Sequence, residues 1–136
     1  MKRISLTLFA MVIAFSFVAA QSAVAHEVKL GVKKLVTTPL GGMPGKEAKV
    51  VRLDVGPGWK VGHHTHPGHV FVYVISGSVQ IDVDGKPAAV VKQGELWHEV
   101  PNKGMVAKNM SSTKGMSVLI FSVGDSGQPM TVMSKK

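Results

Sequence analysis

Apolar and polar residues alternate with a period of two along almost the whole chain after residue 27, and Gly or Pro marks the gaps between the runs. Val28 to Thr38 reads as a first strand. Pro39 to Gly45 is rich in Gly and Pro and forms a loop. Ala48 to Val55 is a strand ended by Gly56-Pro57-Gly58. His69 to Ser76 is dense in Val, Phe, Tyr and Ile, the composition of a strand buried on both faces. Val79 to Asp84 and Ala88 to Lys92 pair as a hairpin through Asp84-Gly85, two residues that tolerate positive φ. Glu95 to Val100, Met105 to Met110 and Met116 to Val123 are further strands. Gly124 to Pro129 is a loop, and Met130 to Lys136 is an outer strand or tail. No segment has a helical period, and no internal repeat occurs. About eight short strands with turn residues between them predict an all-β sandwich or barrel.

The start of the chain breaks this pattern. Lys2 and Arg3 precede an apolar run from Leu6 to Val18, too short to span a membrane comfortably. Ala23-Val24-Ala25 then supplies small residues at the two positions a signal peptidase reads. The expectation is a signal peptide over 1–25 and a single mature domain over 26–136, periplasmic or secreted, with no membrane attachment after cleavage. The alternative is an uncleaved anchor. The chain has no Cys, so neither a Cys-linked lipid nor a disulfide is available. Loss of Lys2 and Arg3 lowers the formal net charge from +8 to +6, and Arg52 is then the only Arg. The remaining Lys residues are scattered rather than clustered beside aromatics, which argues against nucleic acid as a partner.

Two Gly-anchored frames carry the candidate chemistry. In the first, Gly58 is followed by five residues, His64-Thr65-His66, Pro67-Gly68-His69-Val70, six more, and Gly77. In the second, Gly94 is followed by five residues, Val100-Pro101-Asn102, two more, Met105, three more, and Asn109. These spacings resemble the two motifs of the cupins, and the chain resembles a small exported single-domain cupin of the RmlC-like superfamily, type 2. The runs Phe71-Val72-Tyr73-Val74 and Gly94-Glu95-Leu96-Trp97 strengthen the resemblance. It covers nearly the whole mature chain and implies a cupin jelly-roll β-barrel. It also implies a metal held by two His and a Glu from the first motif and a His from the second. This chain keeps the two His but has Val70 in place of the Glu and Met105 in place of the last His.

His64 and His66 are two apart on an extended segment, so both side chains leave on one face. In the frame that face lines the barrel mouth, where two imidazoles can chelate a divalent metal ion or copper; two polar residues at a loop end are the plain alternative. His69 has the opposite parity to Val70 and is either a third ligand, through a bulge, or a rim residue. Met105 is either a soft ligand that favours copper or a core residue. His98 is an alternative ligand. Val70, Tyr73, Trp97 and Glu99 are candidate pocket residues, Glu99 also as an acid or base, although a Glu at a strand end is commonly on the surface. His63 is expected to face solvent. His26 would be the first mature residue, able to chelate Cu(II) with its free amine or simply to be a terminal residue. No Ser-His-Asp arrangement and no phosphate-binding loop is visible.

Three readings of function remain open on these residues: a metal-dependent enzyme for a small organic substrate, a non-catalytic module for a metal or small ligand, and a structural cupin with a relic site. A homodimer is expected from the apolar segment Val28 to Val36, which offers extra sheet surface, unless that segment closes its own barrel.

Overall fold

The alternation is realised as strand after strand. The structure, a computed structural model, describes residues 31–135. In chain order the strands are β1 (Gly31–Pro39), β2 (Lys46–Val55), β3 (Lys60–Thr65), β4 (His69–Ser76) and β5 (Ser78–Val83). They are followed by β6 (Ala89–Lys92), β7 (Leu96–Glu99), β8 (Met105–Asn109), β9 (Met116–Asp125) and β10 (Val132–Met133). No helix occurs among the described residues. All strand pairs are antiparallel and form two five-stranded sheets, β1-β2-β9-β4-β7 and β10-β3-β8-β5-β6. This is the all-β jelly-roll expected from the strand pattern and the two frames. The expected leader and His26 lie outside the described residues.

Period-two patterning explains the core. Val79, Ile81 and Val83 of β5 are buried in alternation with less buried residues, and Val70, Val72 and Val74 of β4 do the same from the other sheet. Val55, Val91, Met105, Met116 and Val118 complete this layer between the sheets. The β5–β6 hairpin forms as predicted, with Ile81 opposite Ala89 and Gly85 at a φ of 73°.

Two expectations needed adjustment. β4 is not buried on both faces: Phe71 and Ile75 are half-buried and Tyr73 is exposed, because among the described residues no second layer covers the outer face of its sheet. And β3, which no alternation in the sequence had marked as a separate strand, is the element that carries the His pair.

The Pro67-Gly68 corner between β3 and β4 is tightly constrained. A Cβ at Gly68 would run into the Val123 carbonyl and the Gly124 backbone of β9, so only Gly permits that approach.

Candidate functional site

Both frame histidines of β3 point into the barrel. The ladder between β3 and β8 shifts register between Val61 and His64: Val61 faces Ala107, but His64 faces Met105. One extra residue on β3 is a bulge. It lets Val61 and His64, three apart, line the same cavity. His64 and His66 are each almost fully buried, and their rings meet edge to face with centroids 5.0 Å apart.

Each ring is held through the same nitrogen. His64 Nδ1 lies 2.8 Å from the Gly62 carbonyl, and His66 Nδ1 lies 2.7 Å from the Met130 carbonyl. A carbonyl can only accept, so both Nδ1 atoms carry the proton and both Nε2 atoms are the presenting nitrogens. Backbone also fixes the neighbourhood of His66. Its carbonyl accepts from Asn102 N at 2.8 Å, and Asn102 adopts a φ of 59°, a left-handed conformation that Asn tolerates.

The carboxylate missing from position 70 arrives from another strand. Val70 of β4 stands directly opposite Glu99 of β7, so the two side chains share the inner face. Glu99 is buried, and its Oε2 lies 3.1 Å from His66 Nε2. Burial pulls His66 down, but the Glu99 hydrogen bond and charge, helped by the Met130 carbonyl, carry its pKa above the ordinary His value. Burial also depresses His64, and there it wins: the Gly62 bond and the more distant Glu99 charge do not offset it, and His66 adds to the depression. Two neighbouring imidazoles are thus pushed to opposite sides of the usual value, a pattern typical of acid/base pairs.

His64, His66 and Glu99 line a cavity of about 130 Å³. Apart from Thr131 the rest of the wall is apolar, with Leu53, Trp59, Val72, Ile81 and Ile120 among its members and Val70 beside Glu99. A wider groove of about 450 Å³ adjoins it through Leu53, Ile120, Met130 and Thr131, under Val32 and Lys34 of β1. Among the described residues no group of three or more His, Cys, Asp or Glu side chains stands ready to hold a metal ion. Glu99 is engaged with His66 instead.

The other sequence candidates are distributed differently. Met105 is buried in the core beside His64, as its cross-strand partner, and does not line the cavity. His69 and His98 are not near the cavity pair. Strand parity is kept through β4 and β7, so both lie exposed on the outer face of the sheet, where His69 Nδ1 is 3.0 Å from His98 Nε2. Tyr73 is on that outer face too. Trp97 packs against the core, with its buried indole nitrogen finding no hydrogen-bond partner among the described residues. Glu95 closes a turn by accepting from Lys92 N.

His63 does not face open solvent. Its Nδ1 lies 2.7 Å from Ser134 Oγ and its Nε2 lies 2.8 Å from Asp84 Oδ2, so it clasps β10 and the β5–β6 turn to β3. This Ser-His-Asp chain was invisible in the sequence because its members are 71 and 21 positions apart. The anchors of the site were missed for the same reason: Met130 and Asn102 act through backbone groups, which leave no residue-type signature.

Comparison with known proteins agrees with this architecture. The cupin domain model matches residues 51–122. No curated protein matches the chain. A cupin-like protein from Thermotoga maritima aligns with a TM-score of 0.61 at 23% identity, over 76% of this chain and 74% of that one. An RmlC-like cupin with a double-stranded β-helix fold from Methanocaldococcus jannaschii aligns with a TM-score of 0.61 at 15% identity, over 88% of this chain and 94% of that one. The DMSP lyase DddQ from Ruegeria pomeroyi aligns with a TM-score of 0.57 at 18% identity, over 77% of this chain. The chain spans only 51% of that lyase's length. At these identities the likeness is one of fold.

Proposed function

The chain belongs to the cupin domain family, and from that premise we propose that it binds a divalent metal ion or copper at the barrel mouth through His64 and His66, beside a pocket for a small organic molecule. The observation that carries the proposal is the anchoring of both imidazoles. Metal-ligating His residues commonly donate the second ring N–H to a carbonyl, which fixes the tautomer and aims the other nitrogen. His64 and His66 both have that arrangement. Glu99 supplies a carboxylate from β7 in place of the one absent at Val70, giving the two-His, one-carboxylate donor set that suits non-haem metals. For Glu99 to join, it must exchange its bond to His66 for the ion. A bound ion would act as Lewis acid and template for the substrate.

The chain's own residues have definable tasks. The apolar wall excludes water and takes the carbon part of a ligand; a dry cavity of about 150 Å³ accommodates benzene, so a molecule of a few heavy atoms suits this one. His66 and Glu99 share a proton between Nε2 and Oε2 and can deliver it to a ligand atom, while His64, kept neutral by burial, can accept one. The second reading is a non-catalytic module for the same small ligands. It is favoured by the His66–Glu99 pair, which satisfies both groups without any ion. We further propose export to the periplasm or outside the cell, and a homodimer formed through β1, whose Val32, Leu35 and Val36 are exposed on an edge strand.

Elemental analysis of untagged protein isolated from its export compartment tests the site. Wild type is expected to carry about one ion per chain more than the His64→Ala/His66→Ala double variant, while the barrel stays folded in both. An equal metal content in wild type and double variant would overturn the metal reading and leave the binding-module one.

A further inference from the structure

The outer face of the β9–β4–β7 sheet carries a second pair of imidazoles that the cavity does not use. Sheet order places β7 at the edge opposite β1, so this face is remote from the edge proposed above for a partner chain. His69 on β4 and His98 on β7 are both exposed. Their nearest ring nitrogens, His69 Nδ1 and His98 Nε2, are 3.0 Å apart. The rings are nearly parallel, with centroids 5.2 Å apart and planes inclined by 24°. Phe71, the cross-strand neighbour of His98, stacks on it at 4.6 Å and 14°, and Phe71 in turn rests against Phe121 at 6.1 Å. The His98 ring is therefore backed by an aromatic row on three hydrogen-bonded strands, and the nitrogens stand on rigid elements rather than on a loop.

We propose that His69 and His98 form a two-nitrogen surface site for Cu(II), separate from the cavity and independent of what the cavity binds. The donor type selects the ion: imidazole nitrogens suit Cu(II), Ni(II) and Zn(II). The observed 3.0 Å is the hydrogen-bond distance between the two rings, so both nitrogens already lie within reach of one ion once that bond opens. The Irving–Williams order then places Cu(II) ahead of Ni(II). Binding exchanges the single N–H···N bond between the rings for two metal–nitrogen bonds. It places the remaining protons on His69 Nε2 and His98 Nδ1, and solvent fills the other positions.

The test is a Cu(II) titration of the full chain at neutral pH, followed by calorimetry and by the nitrogen hyperfine pattern of the copper spectrum. The His64→Ala/His66→Ala background removes the cavity pair. In that background one Cu(II) should still bind with two imidazole nitrogens in its spectrum. Adding His69→Ala or His98→Phe should weaken it about a hundredfold, because two donors fixed on one scaffold exceed a single donor by about that factor. Making both changes should cost little more than either one, since each alone already breaks the chelate. His98→Phe keeps the stack on Phe71 and guards against a merely structural effect. Ni(II) and Zn(II) should both bind with lower affinity than Cu(II). If each substitution leaves the Cu(II) isotherm unchanged, or if the two losses are small and additive, the shared site is refuted. Failure of the cavity reading would show differently, as equal metal binding by wild type and by the cavity double variant.

Discussion

The inner pair His64/His66 and the outer pair His69/His98 have similar ring separations, with centroids 5.0 Å and 5.2 Å apart, yet their environments make them different chemical objects. Inside, each ring is tied through Nδ1 to a separate carbonyl, the planes cross at 82°, and burial and Glu99 drive the two pKa values apart. Outside, the rings are nearly parallel, bond to one another, and have water and Phe71 for neighbours. Only three positions separate His66 from His69. The difference lies in the Pro67-Gly68 corner, where the chain leaves β3 in one sheet and enters β4 in the other. Residue type thus decides what a side chain can bind, and the sheet face on which it emerges decides whether it is wired as a site or as a surface.

The strongest way to break this comparison is to disturb the corner. Gly68→Ala would force a Cβ against the Val123 carbonyl and the Gly124 backbone, neither of which can yield easily. An overpacking cost of about 2–3 kcal/mol is expected. It should appear as a lower urea midpoint with unchanged slope, and both pairs should be affected together. A midpoint like that of wild type would mean that the corner does not hold the two pairs apart.

A smaller change sharpens the inner site alone. Met105 faces His64 across the β3–β8 ladder on the inner side of the sheet. Met105→His should therefore add a nitrogen next to the inner pair and tighten Zn(II) or Ni(II) there about a hundredfold, by the same chelate argument. The outer pair's Cu(II) binding should not move. Competition titrations with a metal indicator distinguish the two sites. A wild-type preference for Cu(I) that the variant loses would instead mark Met105 as a ligand itself.

The subtlest test concerns protons in the metal-free protein. His66 is raised, so the stability it contributes is present in full below the ordinary His pKa and is lost as pH rises through its folded value. His64 is depressed, so its contribution is present above the ordinary value and is lost as pH falls through its folded value. Both contributions are therefore present near pH 6.5, so on these two groups the stability should be greatest there and should fall on either side. Imidazole resonances should show His64 titrating below 6.5 and His66 above it. Glu99→Gln removes the charge that raises His66, so its midpoint should fall. An unmoved His66 midpoint would show that Glu99 is not its partner in solution.

Much of this molecule is legible without coordinates because the information is local. Alternation along Val79–Val83 and Val70–Val74 names the core residues, since neighbouring side chains on a strand take opposite faces. Asp84-Gly85 names the hairpin, and the two-residue spacing of His64 and His66 already places both on one face. The resemblance of the two frames to the cupin motifs implies the barrel. The destinations of His69, His98 and Glu99 depend instead on which strands become neighbours and in what register. Glu99 reaches the cavity only because β7 pairs with β4 so that Glu99 meets Val70, across 29 positions of sequence. The bulge in β3 that lets Val61 and His64 face inward together is likewise a property of the ladder with β8. The sequence by itself determined most of the strands, the all-β class and the shared face of the His pair. The tertiary structure alone decided that the carboxylate comes from β7, that Met105 joins the core, and that the second pair of histidines stands outside. The physical reason is that register is a pairwise agreement between distant segments, set by the packing of both faces at once, and no single run of residues encodes it.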